Sequence, residues 1–178
     1  MPLLVMKFGG TSVADLARIR NAAEKVKREV ERGYDVIVIV SAMSGKTNEL
    51  VGWVEQTSPL FDAREYDAVV SSGENVTAGL MALTLQEMGV PARSWQGWQV
   101  PIRTDDAHGK ARVEGVDGAE LVRRMEAGQV PVVADDDERP RPAVEDVLEL
   151  LEGVHVEVVR GLVEHEHVRL GHEQAQDR

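Results

Sequence analysis

The hydrophobic pattern of the first forty residues predicts a strand, a helix and a second strand. An apolar run at residues 3–8 ends in two glycines, which is typical of a buried strand that leads into a turn. Apolar residues then recur at helical spacing from Leu16 to Val30, and Gly33 ends that helix. Residues 36–40 are all apolar, as expected of a central parallel strand with both faces buried.

The same alternation of helices and strands continues to residue 134. Ser12 and Asp15 have the spacing of a capping box, so we expect Ser12 to cap the first helix. Further helices are predicted at residues 48–55, 63–71, 75–88 and 118–127. Further strands are predicted at residues 94–102, 111–113 and 130–134. Helices alternating with apolar strands indicate an α/β fold.

The composition changes at residue 135, where the segment DDDERPRP begins. Residues 135–178 carry five arginines, no lysine and 13 acidic residues, whereas all five lysines and all seven aromatic residues precede them. Because acids and prolines there cannot continue a helix or a strand, we divide the chain into a lobe at residues 1–134 and an acidic segment at residues 135–178. A short helix at residues 144–151 and a strand at residues 154–159 are predicted within this segment.

The overall composition excludes several classes of protein. The chain has 178 residues, of which 43% are hydrophobic, so it can form one globular domain with a sizeable core. A net charge of −11 argues against a nucleic-acid-binding surface. No membrane span and no secretory signal are found, so we expect a cytoplasmic protein. With no cysteine, disulfides, zinc–thiolate sites and a cysteine nucleophile are excluded.

Two groups of residues in the acidic segment have side chains that can bind metal. Asp135, Asp136, Asp137 and Glu138 would suit Mg²⁺ or Ca²⁺, and the pair His165 and His167 would suit zinc. The acids lack the glycine and the spacing of a calcium loop, and the histidines lack a third ligand. A solvated linker and a polar terminus are the favoured interpretation, so no metal ligand is predicted.

The first candidate site is the motif KFGGTS at residues 7–12. Lys7 places a cation near the end of the first strand, and Gly9 and Gly10 allow a ligand to approach the backbone. Together with the N-terminus of the following helix, these groups suit phosphate. A tight turn with a solvent-facing lysine explains the pattern equally well.

The second candidate site, SAMSGKTNEL at residues 41–50, ends like a phosphate-binding loop. A Walker-type loop needs a glycine at position 40, which here is Val40, so Lys46 is predicted to be a solvent-exposed charge. Ser41 and Thr47 offer hydroxyl groups to a ligand, although a capped turn accounts for them as well.

The third candidate site is SSGEN at residues 71–75, where we expect Gly73 to break the chain and Glu74 to open a helix. A carboxylate is favourable in the first turn of a helix for electrostatic reasons alone. The same carboxylate could also bind the ammonium group of a substrate.

Taken in this order, the three motifs resemble the aspartate kinases of the amino-acid kinase family. The resemblance runs from about residue 5 to residue 134 and includes the tract PIRTDDAHGKARV and the strand VPVVA. It implies a three-layer αβα sandwich with a mainly parallel sheet, incomplete at its C-terminal side. It also implies transfer of the γ-phosphoryl group of ATP, with Mg²⁺, to the side-chain carboxylate of L-aspartate. That reaction is the first step toward lysine, threonine and methionine.

The resemblance also implies roles for individual residues. It identifies Lys7 as the catalytic, phosphate-binding lysine, with Gly9 and Gly10 donating amides to the nucleotide. It places Ser12, Ser41 and Thr47 beside the amino-acid substrate and Glu74 near the substrate's ammonium group.

After residue 134 the family pattern ends, because its Gly-Arg-Gly-Gly-Ser-Asp and Thr-Asp-x-Asp-Gly-Val motifs do not occur. Two interpretations stay open. The chain is a truncated or fused kinase, or it is a non-catalytic domain that binds an amino acid or phosphate or partners an intact kinase. A sandwich without its later strands leaves a sheet edge uncovered. We therefore expect the strand at residues 154–159, or a second copy of the chain, to cover that edge, and we expect a homo-oligomer.

Overall fold

The predicted alternation of strands and helices is present in a computed structural model of the chain. It describes residues 2–96, 99–100, 102–106, 112–116 and 118–134, together with the strand at residues 156–160. The strands are β1 (Leu3–Phe8), β2 (Asp35–Val40), β3 (Ala92–Trp95), β4 (Ile102–Thr104), β5 (Val113–Val116), β6 (Val130–Ala134) and β7 (Val156–Arg160). The helices are α1 (Leu16–Glu31), α2 (Lys46–Thr57), α3 (Ala63–Val70), α4 (Ser72–Glu87) and α5 (Ala119–Glu126). The predicted helix at residues 144–151 lies outside the described residues.

Five strands form one parallel sheet in the order β3-β6-β2-β1-β7. At the centre of the sheet, β1 pairs with β2, and Lys7 lies opposite Ile39. On its other side β1 pairs with β7, and Leu3 lies opposite Val156. The expectation that a strand of the acidic segment covers an edge of the sheet is thereby confirmed for β7.

Helices cover both faces of this sheet because successive side chains of each strand point to opposite sides. Leu4, Met6 and Phe8 of β1 belong to a core cluster that also contains residues of α1 and α4. Leu3 and Val5 belong to a second cluster, on the other face, that includes residues of α5. The predicted αβα sandwich with a parallel sheet is therefore confirmed. Within the described part of the chain, no helix combines the length and apolar character needed to cross a membrane.

The turn after β1 differs from the predicted capping box. Residues Gly10–Val13 form a 3₁₀ turn, in which the N–H of Ser12 donates to the carbonyl of Gly9 at 2.8 Å. The N-cap of α1 is Asp15, whose carboxylate accepts from the N–H of Arg18 at 2.8 Å. The prediction that Ser12 caps α1 is wrong, because Ser12 is held inside the 3₁₀ turn and Asp15 takes the extended backbone of a cap.

The prediction of a single strand at residues 94–102 is also wrong, because two separate strands, β3 and β4, occur there. The chain turns after β3, where the N–H groups of Gln99 and Val100 both donate to the carbonyl of Gln96. The later part becomes β4, which pairs antiparallel with β5 in a separate two-stranded sheet. The apolar pattern continues through the turn, so hydrophobicity alone does not reveal it.

Candidate functional site

The ends of β1 and β2 form the base of the candidate site. Because the strands of the main sheet are parallel, their carboxyl ends lie at the same edge, where α/β proteins bind ligands. Phe8 and Val40 are register partners at the two strand ends. The N–H of Ser41 donates to the carbonyl of Phe8 at 3.1 Å, so the pairing continues past the end of β2. The segments that follow β1 and β2, in the motifs at residues 7–12 and 41–50, therefore lie side by side at this edge of the sheet.

Gly10 brings the first motif into contact with the second. A Cβ atom built on Gly10 would lie 2.8 Å from the carbonyl oxygen of Ala42, which is closer than real Cβ atoms approach. The obstructing atom belongs to the backbone and cannot rotate away. Gly10 is therefore required for the close approach of the two loops, whatever it contributes to a ligand.

Gly73 brings the third motif to the same place. A Cβ atom on Gly73 would lie 3.1 Å from the Cβ of Ala42 and 3.3 Å from Cδ1 of Leu50. The prediction that Gly73 breaks the chain is wrong, because α4 begins at Ser72 and includes Gly73 in its first turn. The glycine lets the start of α4 pack closely against the loop after β2. All three motifs consequently meet around Ala42.

Ser41 has a buried hydroxyl group beside this meeting point. The residue is only 2% exposed, and its Oγ has no hydrogen-bond partner within the part of the chain that the structure describes. Ile37 and Ile39 of β2 share a core cluster with Leu3 and Val5 of β1. Since side chains alternate along a strand, Ser41 and Lys7 lie on this same face of the sheet. A buried hydroxyl without a hydrogen-bond partner lowers the stability of the fold, so we expect a polar ligand or a water molecule to bind the Ser41 hydroxyl.

Glu74, Thr47 and Ser12 lie on the three elements that meet at Ala42. Glu74 is the third residue of α4 and is 9% exposed, so its carboxylate is buried in the first turn of the helix. Thr47 is the second residue of α2 and is half-buried. Ser12 is half-buried in the 3₁₀ turn. The particular substrate group that each of these residues binds remains a prediction.

Gly9 differs from Gly10 in its surroundings. Its backbone, with φ −71° and ψ 168°, is accessible to any residue. No atom of the described chain lies within 4 Å of a Cβ built there. The space beside Gly9 is thus open to a ligand. The sequence predicts the N-terminus of a helix beside these glycines. The N-terminus that lies there belongs to the 3₁₀ turn, because Asp15 already caps the first turn of α1.

Lys46 is an exposed residue of α2 and not part of a phosphate-binding loop, as the spacing of the motif predicts. Gly45 adopts the left-handed conformation with φ 82°, and Lys46 begins α2. The Lys46 side chain is exposed, and its Nζ lies 2.5 Å from Oε2 of Glu49 in the same helix. The interpretation of Lys46 as a solvent-exposed charge is confirmed, and the sequence GKT does not form a Walker-type loop.

Lys46→Ala is therefore expected to change the affinity for Mg-ATP by less than about twofold. An exposed ion pair within one helix contributes only about 0.3–0.5 kcal/mol to stability, so folding should change little as well. Calorimetric titration with Mg-ATP measures the first quantity, and urea unfolding measures the second. A loss of nucleotide affinity of tenfold or more, or about 1.4 kcal/mol, would contradict the assignment.

Among the described residues, no group of three or more His, Cys, Asp or Glu side chains is arranged to hold a metal ion. Mg²⁺ is often bound mainly through substrate phosphates, with one or two protein carboxylates.

Comparison with known sequences relates this arrangement to a family. The profile of the amino acid kinase family matches residues 2–148, which extends past the boundary predicted at residue 134. The aspartokinase of Pseudomonas aeruginosa is 50% identical over 134 residues, which are 75% of this chain and 32% of that protein. Aspartokinase 2 of Bacillus subtilis is 42% identical over 134 residues, with 75% and 33% covered. The chain thus spans about a third of the length of these curated relatives.

Comparison with solved structures gives the same relationship. Aspartate kinase from Synechocystis superposes with a TM-score of 0.64 at 39% identity, covering 75% of this chain and 22% of that one. Aspartokinase III of E. coli, in complex with aspartate and ADP, superposes with a TM-score of 0.72 at 20% identity. That match covers 89% of this chain and 49% of the other, and at this identity it shows the shared fold alone.

Proposed function

This chain belongs to the amino acid kinase family, and from that membership we propose that it binds ATP and L-aspartate for phosphoryl transfer to the aspartate side chain. The product would be 4-phospho-L-aspartate. The observation that carries the proposal is the meeting of three polar motifs around Ala42, beside the Ser41 hydroxyl, which has no hydrogen-bond partner among the described residues. The named aspartokinase relatives support the choice of substrates.

The proposed chemistry requires little from the protein beyond positioning and charge. The side-chain carboxylate of L-aspartate has a pKa of about 3.9 and is ionised at neutral pH, so no general base is needed. A carboxylate oxygen forms a bond to the γ-phosphorus, and the bond between that phosphorus and the bridging oxygen breaks. ADP leaves with the electron pair. The protein must hold two anions in line and stabilise the charge that develops between them.

The nucleotide side of the site is formed by the first motif in this proposal. Lys7 is half-buried near the end of β1 and would neutralise charge on the transferred phosphoryl group. The open space at Gly9 admits the phosphates to the backbone, and the amides at the start of the 3₁₀ turn beginning at Gly10 would donate to them. Mg²⁺, when bound with the nucleotide, would supply further positive charge at the β- and γ-phosphates.

The amino-acid side of the site is formed by the second and third motifs. Ser41 would donate its otherwise unpartnered hydroxyl to the substrate, and Thr47 and Ser12 would contribute further hydroxyl groups. Glu74, buried in the first turn of α4, would bind the substrate ammonium group. A charge-assisted hydrogen bond of this kind is roughly twice as strong as one between neutral groups.

A second function is favoured by the length of the match. Because the chain spans about a third of its curated relatives, it could bind the amino acid or phosphate without catalysis, or act as a partner of an intact kinase chain. A hydroxamate assay for acyl phosphate separates the two candidates. Acyl hydroxamate formed from ATP, Mg²⁺ and L-aspartate supports the kinase. Heat of binding for L-aspartate without any hydroxamate supports the non-catalytic alternative.

Ser41→Ala is expected to have opposite effects on the fold and on the ligand. Removing a buried hydroxyl that lacks a partner among the described residues should leave the free energy of unfolding unchanged or raise it slightly. Affinity for L-aspartate should fall about 5- to 10-fold, because a hydrogen bond worth about 1 kcal/mol is lost. Urea unfolding and calorimetric titration with L-aspartate measure the two effects. A destabilised variant with unchanged affinity would contradict the assignment of Ser41 to the substrate.

A further inference from the structure

The edge strand β7 has an arginine at the position next to Lys7. The strand pairs in parallel with β1, and Arg160, its last residue, is the register partner of Lys7. Neighbouring strands lie about 4.8 Å apart, so the two positions are adjacent at the carboxyl end of the sheet. The acidic segment therefore contributes a cationic residue beside the lysine of the first motif.

The hydrophobic pattern of the two strands supports this register. The partners of Leu3 and Val5 in β7 are both valines, so each strand has two apolar residues at alternate positions before its cation. Register in a sheet is set mainly by matching such patterns. Register partners lie on the same face of a sheet, so Lys7 and Arg160 share the face on which Ser41 lies.

The row of register partners that contains the two cations has no carboxylate. From Lys7 it continues across the sheet through Ile39 of β2, Val133 of β6 and Trp95 of β3, which are all apolar. Like charges at directly neighbouring positions of two strands repel each other. Because the strands supply no opposite charge at this row, the two positions suit an anion that contacts both residues.

The charged residues of β1, β2 and β7 are separated by sign along the strands. Lys7 and Arg160 lie at the carboxyl end, whereas Asp35 and Glu157 lie near the amino end. From residue 142 to residue 168, Arg160 is the only lysine or arginine among seven acidic residues. In a chain with a net charge of −11, two adjacent cations at one sheet edge give an anion a local attraction that the chain as a whole does not.

We propose that Arg160 is a second cation of the phosphate site, so that Lys7 and Arg160 together bind a polyphosphate anion. This inference rests on the proposed function, because it adds a residue of the acidic segment to the same nucleotide-phosphate site. Arginine stays charged at neutral pH and can donate two parallel hydrogen bonds to phosphate oxygens, whereas lysine acts as a point charge. The open space beside Gly9 admits phosphate groups at this end of β1. Strand β7 is then part of the site as well as the cover of a sheet edge.

Calorimetric titration of the full chain with inorganic triphosphate tests the proposal, with Arg93→Ala as the matched control for Arg160→Ala. Arg93 is an exposed arginine of β3, the strand at the opposite edge of the same sheet. Loss of a hydrogen bond between charged groups should lower the affinity of Arg160→Ala for triphosphate about tenfold or more. Arg93→Ala should leave that affinity unchanged. A wild-type chain that does not bind triphosphate, or equal effects of the two variants, overturns the proposal.

Arg160→Gln separates a role in binding from a role in folding, and Mg-ATP separates this inference from the proposed function. Arg160→Gln should keep the melting temperature of the ligand-free wild type and lose affinity for triphosphate as Arg160→Ala does. A lower melting temperature with unchanged affinity would show that Arg160 only attaches β7 to the sheet, and would overturn the proposal. If Arg160→Ala binds Mg-ATP as tightly as the wild type, this inference fails and the proposed function stands. If the wild type binds triphosphate through Arg160 but does not bind Mg-ATP, the cation pair is supported and the proposed function fails.

Discussion

Replacing Lys7 with alanine is expected to lower the affinity for Mg-ATP by about 10- to 100-fold, a larger effect than its change in the free energy of unfolding. A hydrogen bond to a charged group is worth about 1.5–3 kcal/mol, which corresponds to that range of affinity. Lys7 is half-buried at the end of β1, whereas the neighbouring core positions Met6 and Phe8 are fully buried. Truncation of its side chain therefore removes a cation without opening a cavity in the core.

The effect of Lys7→Ala on the rate of phosphoryl transfer should be larger than its effect on binding. Charge that develops in the transition state is stabilised more strongly than charge in the ground state, and loss of one such group typically costs about 10²–10³-fold in rate. The hydroxamate assay measures this loss, with Lys46→Ala as the control for removal of a lysine. A purified Lys7→Ala protein with full activity and full nucleotide affinity would show that another group binds the phosphates.

Gly10→Ala is expected to destabilise the fold by about 1–3 kcal/mol, the usual cost of forcing extra atoms into a packed site. The new methyl group would meet the carbonyl oxygen of Ala42 at 2.8 Å, so the loops after β1 and β2 must separate. Affinity for L-aspartate should fall as well, because Ser41 directly precedes the displaced residue. Urea unfolding and calorimetric titration measure both changes.

Gly9→Ala is the matched control for Gly10→Ala, because the added methyl group meets no described atom within 4 Å. The stability of this variant should equal that of the wild type, since the backbone conformation at Gly9 suits alanine. If the open space beside Gly9 receives the phosphates, the same variant should bind Mg-ATP less tightly. Equal destabilisation by the two substitutions would show that the contact between Gly10 and Ala42 is not what restricts this loop.

The central strands could be predicted from the sequence because both of their faces are buried. In β1 and β2 every position from Leu3 to Met6 and from Val36 to Val40 is apolar, a pattern that few other structures produce. The helix cap could not be predicted in the same way. Ser12 and Asp15 are both suitable N-cap residues, and the choice between them depends on the 3₁₀ turn after Gly9.

The position of the candidate site could be predicted, but the packing that forms it could not. Motifs that follow parallel strands meet at one edge of the sheet, so the proximity of residues 7–12 and 41–47 follows from topology. The contact of Gly10 and Gly73 with Ala42 joins residues more than thirty positions apart. Each glycine alone is equally compatible with a turn or a break in the chain, and only the tertiary structure distinguishes these from close packing.

The single strand predicted at residues 94–102 is wrong for a related reason. Apolar residues alternate with other residues at Trp98, Val100 and Ile102, so the local pattern favours a strand there. The chain instead turns at Gln96, and β4 pairs with β5 in a separate ribbon. Pairing between distant segments determines where such a strand ends, and no local pattern records it.

Calorimetric titration of the wild-type chain, Lys7→Ala and Ser41→Ala with Mg-ATP and with L-aspartate tests the central claim most directly. The claim is that one sheet edge holds a nucleotide and an amino acid side by side through different residues. It predicts that the wild type binds both ligands, that Lys7→Ala loses affinity mainly for Mg-ATP, and that Ser41→Ala loses affinity mainly for L-aspartate. A wild-type chain that binds neither ligand, or two variants that lose both ligands equally, would contradict it.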